Sequence, residues 1–426
     1  MLKSCDRLLP SPSVPDLEET VSKYLKSVKN ILAKDEYALV EEQAQSFLQN
    51  EGRKLHTYSW LMSLMSDNYI TPFWEKYAYL YSREPVLVNS SVAHTDLMEV
   101  PEDRRATRAY MAARVTFFES MSQLAIDRQD LKPLGAGLLC ACHYEKLYSV
   151  CRIPGEQVDR LVNYGISKHV VAILDGCFYK ISLCNEKNQV YTIDQLAKIY
   201  AELLSRNEAV QGAEAMVAAL TTDRRDEWAR NREKFFLKHP INAATLREIE
   251  SAAFILILDD EEYRKDNNSV NELSYFLRRM LTGNGVNRWA DKSLNYSVGR
   301  NARCGGTTEH SIGDGSEFDH IMENYVVNEL LTKYPPLEEQ HQIQQMTESD
   351  QGLVLAERLP VEVSDEMGVA IQRCYDQYEK LREDVDLAAS IFRDFGKGFI
   401  KKCGISPDGF VQMAIQLANY RVRILS

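Results

Sequence analysis

The stretch Cys304-Gly305-Gly306-Thr307-Thr308-Glu309-His310-Ser311-Ile312-Gly313-Asp314-Gly315 sets one histidine among small residues. Upstream of it, Ser293–Val298 predicts a strand and Gly299-Arg300-Asn301 predicts a turn. These signals place His310 where the second strand of a hairpin ends. Its side chain is therefore expected at the edge of a cleft and not inside a core.

A helix is predicted directly after this stretch. Ser316 and Asp319 resemble a capping box, although Asp stands where Glu or Gln is usual. Apolar residues then recur at helical spacing, at Phe318, Ile321, Met322, Tyr325, Val326 and Leu330. The local order is thus strand, turn, strand and helix, with His310 between the last two.

His310 is a candidate general base. An imidazole titrates near neutral pH, and a carboxylate on one ring nitrogen leaves the other nitrogen free to accept a proton. Asp314, four residues later, is the candidate carboxylate. Histidine and aspartate at this spacing are also common in purely structural settings, so the spacing alone leaves both interpretations open.

Composition restricts the class of protein. The length of 426 residues predicts two or three domains with a sizeable core, and the net charge of −12 argues against nucleic-acid binding. Nine cysteines without CxxC spacing predict reduced thiols in an intracellular protein. The acidic run Asp259–Tyr263 predicts a solvated loop, and no metal site is predicted. Because no run of 18 apolar residues and no secretory signal is found, the predicted location is the cytoplasm.

Local patterns predict several further elements. Lys168–Leu174 and Cys177–Leu183 form a hairpin around Asp175-Gly176, which suits a type I′ turn. Phe254–Leu258 predicts a buried strand, and Pro85–Val88 predicts another. Helices are predicted over Leu17–Leu32, Tyr37–Asn50, Arg104–Arg128, Thr192–Arg206, Asn242–Ala253 and Ile371–Phe392. The polar stretch Pro335–Pro360 is predicted to connect two domains.

A second chemical segment lies near the C-terminus. Lys397, Lys401 and Lys402 crowd a glycine-containing turn. Directly after it, Ser406 and Pro407 predict the N-cap and first residue of a helix. Three lysines before a helix start suit an anion site, although a solvated basic loop would show the same pattern.

Glu309-His310-Ser311, with Asp314 and then His320, resembles the active-site signature of the choline/carnitine acyltransferase family. The resemblance is nearest to carnitine O-palmitoyltransferases of the outer-mitochondrial-membrane type, and it runs from about residue 8 to the C-terminus. Other segments that carry it are Trp74–Ser90, Arg152–Gly155, Thr221–Trp228, Gly283–Ser293 and Phe395–Phe410.

The resemblance implies an α/β, two-domain coenzyme-A-dependent acyltransferase (chloramphenicol-acetyltransferase-like) fold, with mixed sheets flanked by helices. Residues 1–83 and 353–426 would form a discontinuous coenzyme-A-binding domain. Residues 84–352 would form the domain of the catalytic histidine.

The resemblance also implies an activity, the reversible transfer of a long-chain fatty acyl group between coenzyme A and carnitine in fatty-acid metabolism. Coenzyme A and acyl-CoA would act as substrates, without a metal. Matching residues would be catalytic at His310 and Asp314, acceptor-binding at Trp74 and Tyr79, and coenzyme-A-binding at Lys397, Lys401 and Asp408.

The sequence also departs from the family pattern. Gly306 stands where relatives carry a larger apolar residue, and Ala302 replaces a turn glycine, so a looser hairpin is expected. The chain ends within the helix that begins at Ser406, before the segments that bind the acceptor's carboxylate in relatives. This predicts a truncated second domain that self-associates. The chain could therefore also be an inactive member that retains coenzyme A binding, or an interaction protein. The sequence also leaves open whether the acceptor is carnitine or choline, how long the acyl chain is, and whether the protein associates with mitochondria.

Overall fold

Short apolar segments in the middle of the chain build a mixed sheet. The computed structural model describes residues 2–96, 104–137, 139–266 and 268–425. The strands in these ranges are β1 Ser91–Thr95, β2 Val150–Ile153, β3 Arg160–Asn163, β4 His169–Leu174, β5 Cys177–Ser182, β6 Ile255–Leu258, β7 Leu294–Val298, β8 Cys304–Glu309 and β9 Glu357–Leu359.

Seven of these described strands form one sheet in the order β1-β8-β7-β6-β4-β5-β9, while β2 and β3 pair separately. β4, β6 and β7 run parallel to one another, and the remaining neighbours are antiparallel. The order places the β7–β8 hairpin, which precedes His310, between β6 and the edge strand β1.

The described helices are α1 Leu17–Val28, α2 Lys34–Gln49, α3 Glu51–Met65, α4 Thr71–Trp74, α5 Arg108–Asp127, α6 Ile193–Ser205, α7 Arg225–Arg232, α8 Pro240–Ser251, α9 Val270–Thr282, α10 Gly315–Leu331, α11 Leu337–Ile343, α12 Asp365–Asp384, α13 Lys397–Lys402 and α14 Pro407–Leu425. The π-helical turn Glu75–Leu80 continues α4 directly. Among the described helices, none combines the length and the apolar content that crossing a bilayer requires.

Both faces of the sheet are buried, since β6 is apolar throughout and β4 is apolar from Val170 onward. Val170, Ala172 and Leu174 of β4 pack into one core, which α5 and α6 cover. Val171 and Ile173 point to the opposite core, which α8 and α12 cover. The predicted mixed α/β architecture is confirmed.

Local predictions were right where short-range signals are strong. The hairpin around Asp175-Gly176 and the buried strand near Phe254 are present. Both turn residues have positive φ, as a type I′ turn requires. Ser406 precedes α14 and caps it through a hydrogen bond from the Gly409 amide.

Three element predictions were wrong. Pro85–Val88 is not a strand, since Val88 has φ 72°, and the strand of this region is β1 instead. The predicted helix Ile371–Phe392 is α12, which begins at Asp365 and ends where Val385 takes an extended backbone. α5 begins at Arg108, because Thr107 is its N-cap.

The division into residues 1–83 with 353–426, and 84–352, stays a prediction. β9 pairs with β5 in the large sheet, and α12 packs on the same core as Val171. α13 and α14, by contrast, pack on each other and leave most of their side chains exposed.

Candidate active site

The β7–β8 hairpin sets the position of His310. Its turn includes Ala302 at φ 59°, a left-handed conformation that favours glycine, so alanine is strained there. Gly306 lies between β1 and β7, opposite His94 and Tyr296. A Cβ on Gly306 would lie 2.1 Å from the Asn295 carbonyl oxygen, so this backbone arrangement has no room for a larger residue.

His310 follows β8 directly and faces Asp314. The His310 Nε2 to Asp314 Oδ1 distance is 3.6 Å, and the histidine side chain is 24% exposed against 75% for the aspartate. In this ring orientation Nδ1 is the nitrogen left to accept a proton. The predicted pair of side chains is therefore brought together at a site open to solvent.

Asp314 has a second role, which corrects the predicted capping box at Ser316 and Asp319. α10 begins at Gly315 with Asp314 as its N-cap. The Gly315 amide donates to Asp314 Oδ1 at 2.8 Å, and the Asp314 amide donates to Glu317 Oε2 at 3.2 Å. The carboxylate that faces His310 is thus fixed at the start of a long helix.

Two aromatic residues border the histidine from the α4 side. The Tyr79 and His310 ring centroids are 5.3 Å apart, and Trp74 meets Tyr79 edge-on at 6.3 Å. Burial, and next the charge of Asp314, raise the pKa of Tyr79. The structure therefore brings Trp74 and Tyr79 beside His310 and Asp314. Tyr79 lies on the π-helical turn that Trp74 directly precedes, and such turns recur at functional sites.

Arg152 ties the two halves of the site together, and the sequence did not predict this. Its guanidinium donates to Glu309 Oε1 at 2.9 Å and to the Tyr79 carbonyl oxygen at 2.7 Å. Glu309 is buried and directly precedes His310. One buried cation thus positions the residue before the histidine and the backbone of Tyr79.

Arg152 is part of a buried network of ion pairs and hydrogen bonds. Asp159 accepts hydrogen bonds from Arg152 Nε and Arg225 Nε, both at 2.8 Å. Arg225 also bonds Asp291, which accepts from Trp228 Nε1 at 2.6 Å. The three sequence segments around Arg152, Arg225 and Asp291 therefore meet in one network. The sequence signal that could have predicted this network is an arginine, Arg152, among apolar residues of a strand, because a buried arginine needs paired charges.

Two adjoining cavities lie next to His310. A space of about 200 Å³ is lined by His310 and Phe318, and it shares His94, Tyr296 and Met322 with a second space of about 1040 Å³. The larger space extends between the hairpin, α5 and α10 and has both apolar and charged walls.

Sequence comparison now identifies the family. Residues 12–424 match the choline/carnitine O-acyltransferase family. The chain belongs to the choline/carnitine O-acyltransferase family.

Individual relatives agree with this assignment. The chain is 33% identical to muscle carnitine O-palmitoyltransferase 1 of Sus scrofa over 99% of its own length and 54% of the relative's. It is 32% identical to the liver isoform of Homo sapiens over 99% of its length and 54% of that protein's. Carnitine O-acetyltransferase of Rattus norvegicus is 28% identical over 97% of this chain and 66% of that relative. The chain thus spans about half the length of the palmitoyltransferases that it matches.

The predicted coenzyme A residues of this acyltransferase-family chain lie on the last two helices, α13 and α14. Lys397 and Lys401 are exposed, four residues apart on α13, and Asp408 lies in the first turn of α14. Within the described ranges, no hydrogen bond or ion pair joins Lys397, Lys401 or Asp408 to His310. Their role therefore stays a prediction. Nor does any group of three acidic, cysteine or histidine residues in the described part of the chain form a metal site.

Proposed function

We propose that this member of the family transfers an acyl group between coenzyme A and the hydroxyl of carnitine. The observation that carries the proposal is the His310–Asp314 pair facing Tyr79 and Trp74. Aromatic faces and a phenol suit the quaternary ammonium of carnitine, and a histidine with a carboxylate suits removal of a hydroxyl proton.

The proposed mechanism needs no acyl-enzyme. His310 takes the hydroxyl proton while the carnitine oxygen attacks the thioester carbonyl carbon. The carbon–sulfur bond then breaks, and the departing thiolate takes the proton back from His310. Asp314 orients the ring and stabilises the imidazolium between these steps.

The proposed acyl donor is a long-chain acyl-CoA. Identity to palmitoyltransferases is higher than to acetyltransferases, at 33% against 28%. The space of about 1040 Å³ beyond Tyr296 and Met322 supports the same choice. Lys397, Lys401 and Asp408 are proposed to hold the nucleotide end of coenzyme A.

The test measures free thiol released from palmitoyl-CoA with and without carnitine. Release should depend on carnitine, and His310→Ala should lower it by at least about 10²-fold, the usual contribution of a general base. His341→Ala is the matched control, because that exposed histidine bonds only the Leu337 carbonyl of its own helix. Full release by His310→Ala would refute the assignment.

A second candidate is a coenzyme-A-binding member without turnover. It is favoured by the exposure of Asp314, whose side chain is 75% exposed although it faces His310. In that case calorimetry would detect coenzyme A binding while no carnitine-dependent thiol release occurs.

A further inference from the structure

A short 3₁₀ helix, Cys142–Lys146, lies between two elements of the site. His143 on this helix has one carboxylate near each ring nitrogen. Its Nε2 is 3.4 Å from Glu75 Oε1, and its Nδ1 is 3.6 Å from Glu317 Oε1. The His143 side chain is only 25% exposed, so the two ion pairs are partly shielded from solvent.

The two carboxylates belong to different halves of the site. Glu75 directly follows Trp74 and opens the π-helical turn that carries Tyr79. Glu317 lies in the first turn of α10 and accepts a hydrogen bond from the Asp314 amide. His143 therefore connects the aromatic side of the site to the residue that faces His310.

The same short helix contacts α10 a second time. Tyr144 Oη and His320 Nδ1 are 2.6 Å apart. Lys146 Nζ also contacts Glu75, so the helix reaches both sides through more than one residue. A bridge of this kind restrains the distance between the elements it joins.

The charges around His143 favour its protonated form. Only the imidazolium has an N–H on both ring nitrogens, as two flanking acceptors require. The charged and titratable groups near it are Glu75, Glu317, Cys142, the Tyr79 phenol and, beyond Glu75, Lys146. The Cys142 thiol first, and then Glu317 and Glu75, raise the pKa of His143 to about 11 against the effect of burial.

We propose that His143 is a positioning residue: bound between Glu75 and Glu317, it fixes Trp74 and the π-helical turn that carries Tyr79 against the first turn of α10, whose N-cap Asp314 faces His310. That His143 joins the π-helical turn to α10 holds whatever reaction the protein catalyses. That this junction helps to bind the carnitine acceptor rests on the proposed function.

The first test is the protonation of His143 in the full chain labelled with ¹³C at the histidine Cε1. The signal that disappears in His143→Gln belongs to this residue. It should stay in the protonated form above pH 8, and Glu75→Gln should lower its titration midpoint. A midpoint near the ordinary value of about 6.5 in the unsubstituted protein would overturn the proposal.

The second test is amide hydrogen exchange. His143→Gln should speed exchange of both Thr71–Leu80 and Gly315–His320, by about three- to tenfold, the loss expected from two partly shielded ion pairs. Glu75→Gln should do the same and serves if His143→Gln does not fold. His341→Gln, the same change at an exposed histidine, should alter neither segment. Faster exchange confined to the 140–147 region would mean that His143 has only a local role.

Turnover separates this proposal from the proposed function. If no carnitine-dependent thiol release is found, acyl transfer fails as the function, while the two spectroscopic tests still decide the role of His143. Where release occurs, His143→Gln should raise the KM for carnitine by about threefold or more and leave the KM for acyl-CoA nearly unchanged. An equal rise in both KM values would contradict a role in positioning the acceptor side.

Discussion

At the scale of single residues, the buried carboxylates near the site differ in the groups that they meet. Glu309 and Asp159 each meet Arg152, so their charges are compensated where water is excluded. Glu119 of α5 is also buried, but it accepts a hydrogen bond from the neutral Tyr148 hydroxyl and is not in an ion pair with Arg152. Burial raises the pKa of Glu119 to about 7, although bonds from Tyr148 and Tyr296 act to lower it.

This predicts a pH dependence of stability. Since the folded-state pKa lies above the unfolded value, the stability that the neutral carboxyl contributes is present at pH 4 and is lost as pH rises toward 7. Glu119→Gln, which mimics the neutral form, should match the unsubstituted protein at pH 4. At pH 8 it should be more stable by up to about 3 kcal/mol.

Urea denaturation at both pH values measures this difference, with Glu42→Gln on exposed α2 as the control. An equal free energy of unfolding for Glu119→Gln and the unsubstituted protein at pH 8 would show that folding does not raise the pKa of Glu119.

At the scale of elements, α10 combines structure and chemistry in one residue. Asp314 caps the helix and also faces His310, so the start of α10 determines where the carboxylate lies. The two roles depend on different properties, because a cap needs only an acceptor oxygen whereas stabilising an imidazolium needs a negative charge.

Asp314→Asn should therefore separate them. Asparagine is as good an N-cap as aspartate, so the free energy of unfolding should change by less than about 0.5 kcal/mol. Carnitine-dependent thiol release should fall by about tenfold or more. Asp314→Ala should lose both, including about 1 kcal/mol of stability. Undiminished release by Asp314→Asn would show that the charge at 3.6 Å is not used.

α13 is the element on which coenzyme A binding can be tested. Lys397 and Lys401 lie on adjacent turns of one exposed face. Lys397→Ala with Lys401→Ala should weaken binding of coenzyme A by about tenfold or more, since hydrogen bonds between charged groups are lost. The loss should be smaller for dephospho-CoA, which lacks the 3′-phosphate. Equal losses in calorimetry would mean that these lysines do not bind that phosphate.

At the scale of the whole molecule, the two ends of the chain expose much apolar surface. On α3, Leu64 and Met65 are 65% and 84% exposed, and on α14, Met413 and Tyr420 are 65% and 64% exposed. Surface of this kind is usually covered by protein. The large sheet, by contrast, is covered on both faces.

We therefore expect the 426-residue chain to self-associate. Light scattering after size-exclusion chromatography should show a molar mass that rises with protein concentration. Val411→Glu with Ile415→Glu, one turn apart on exposed α14, should reduce this. Gln412→Glu with Gln416→Glu adds the same charge at polar positions of the same helix and should have a smaller effect. A monomer at every concentration would contradict this expectation.

Short-range signals explain what the sequence predicted. The strands of the β7–β8 hairpin and the helix after His310 follow from periodicity, and His310 with Asp314 follows from a spacing of four residues. Family resemblance singled out Trp74 and Tyr79 as acceptor-binding, which stays a prediction, because an aromatic cluster alone indicates a core. The structure places the Tyr79 ring beside His310.

The sequence by itself thus determined the mixed α/β class, the central hairpins and the His310–Asp314 pair, because each depends on contacts between near neighbours in the chain. Only the tertiary structure decided which residues hold that pair in place. Arg152 and Glu309 are 157 positions apart, and β1 pairs with β8 across an even longer separation. The Glu75–His143–Glu317 bridge likewise joins three distant segments. No local spacing encodes such contacts, because they form only when the folding of the whole chain offsets the entropy of closing the loops between them.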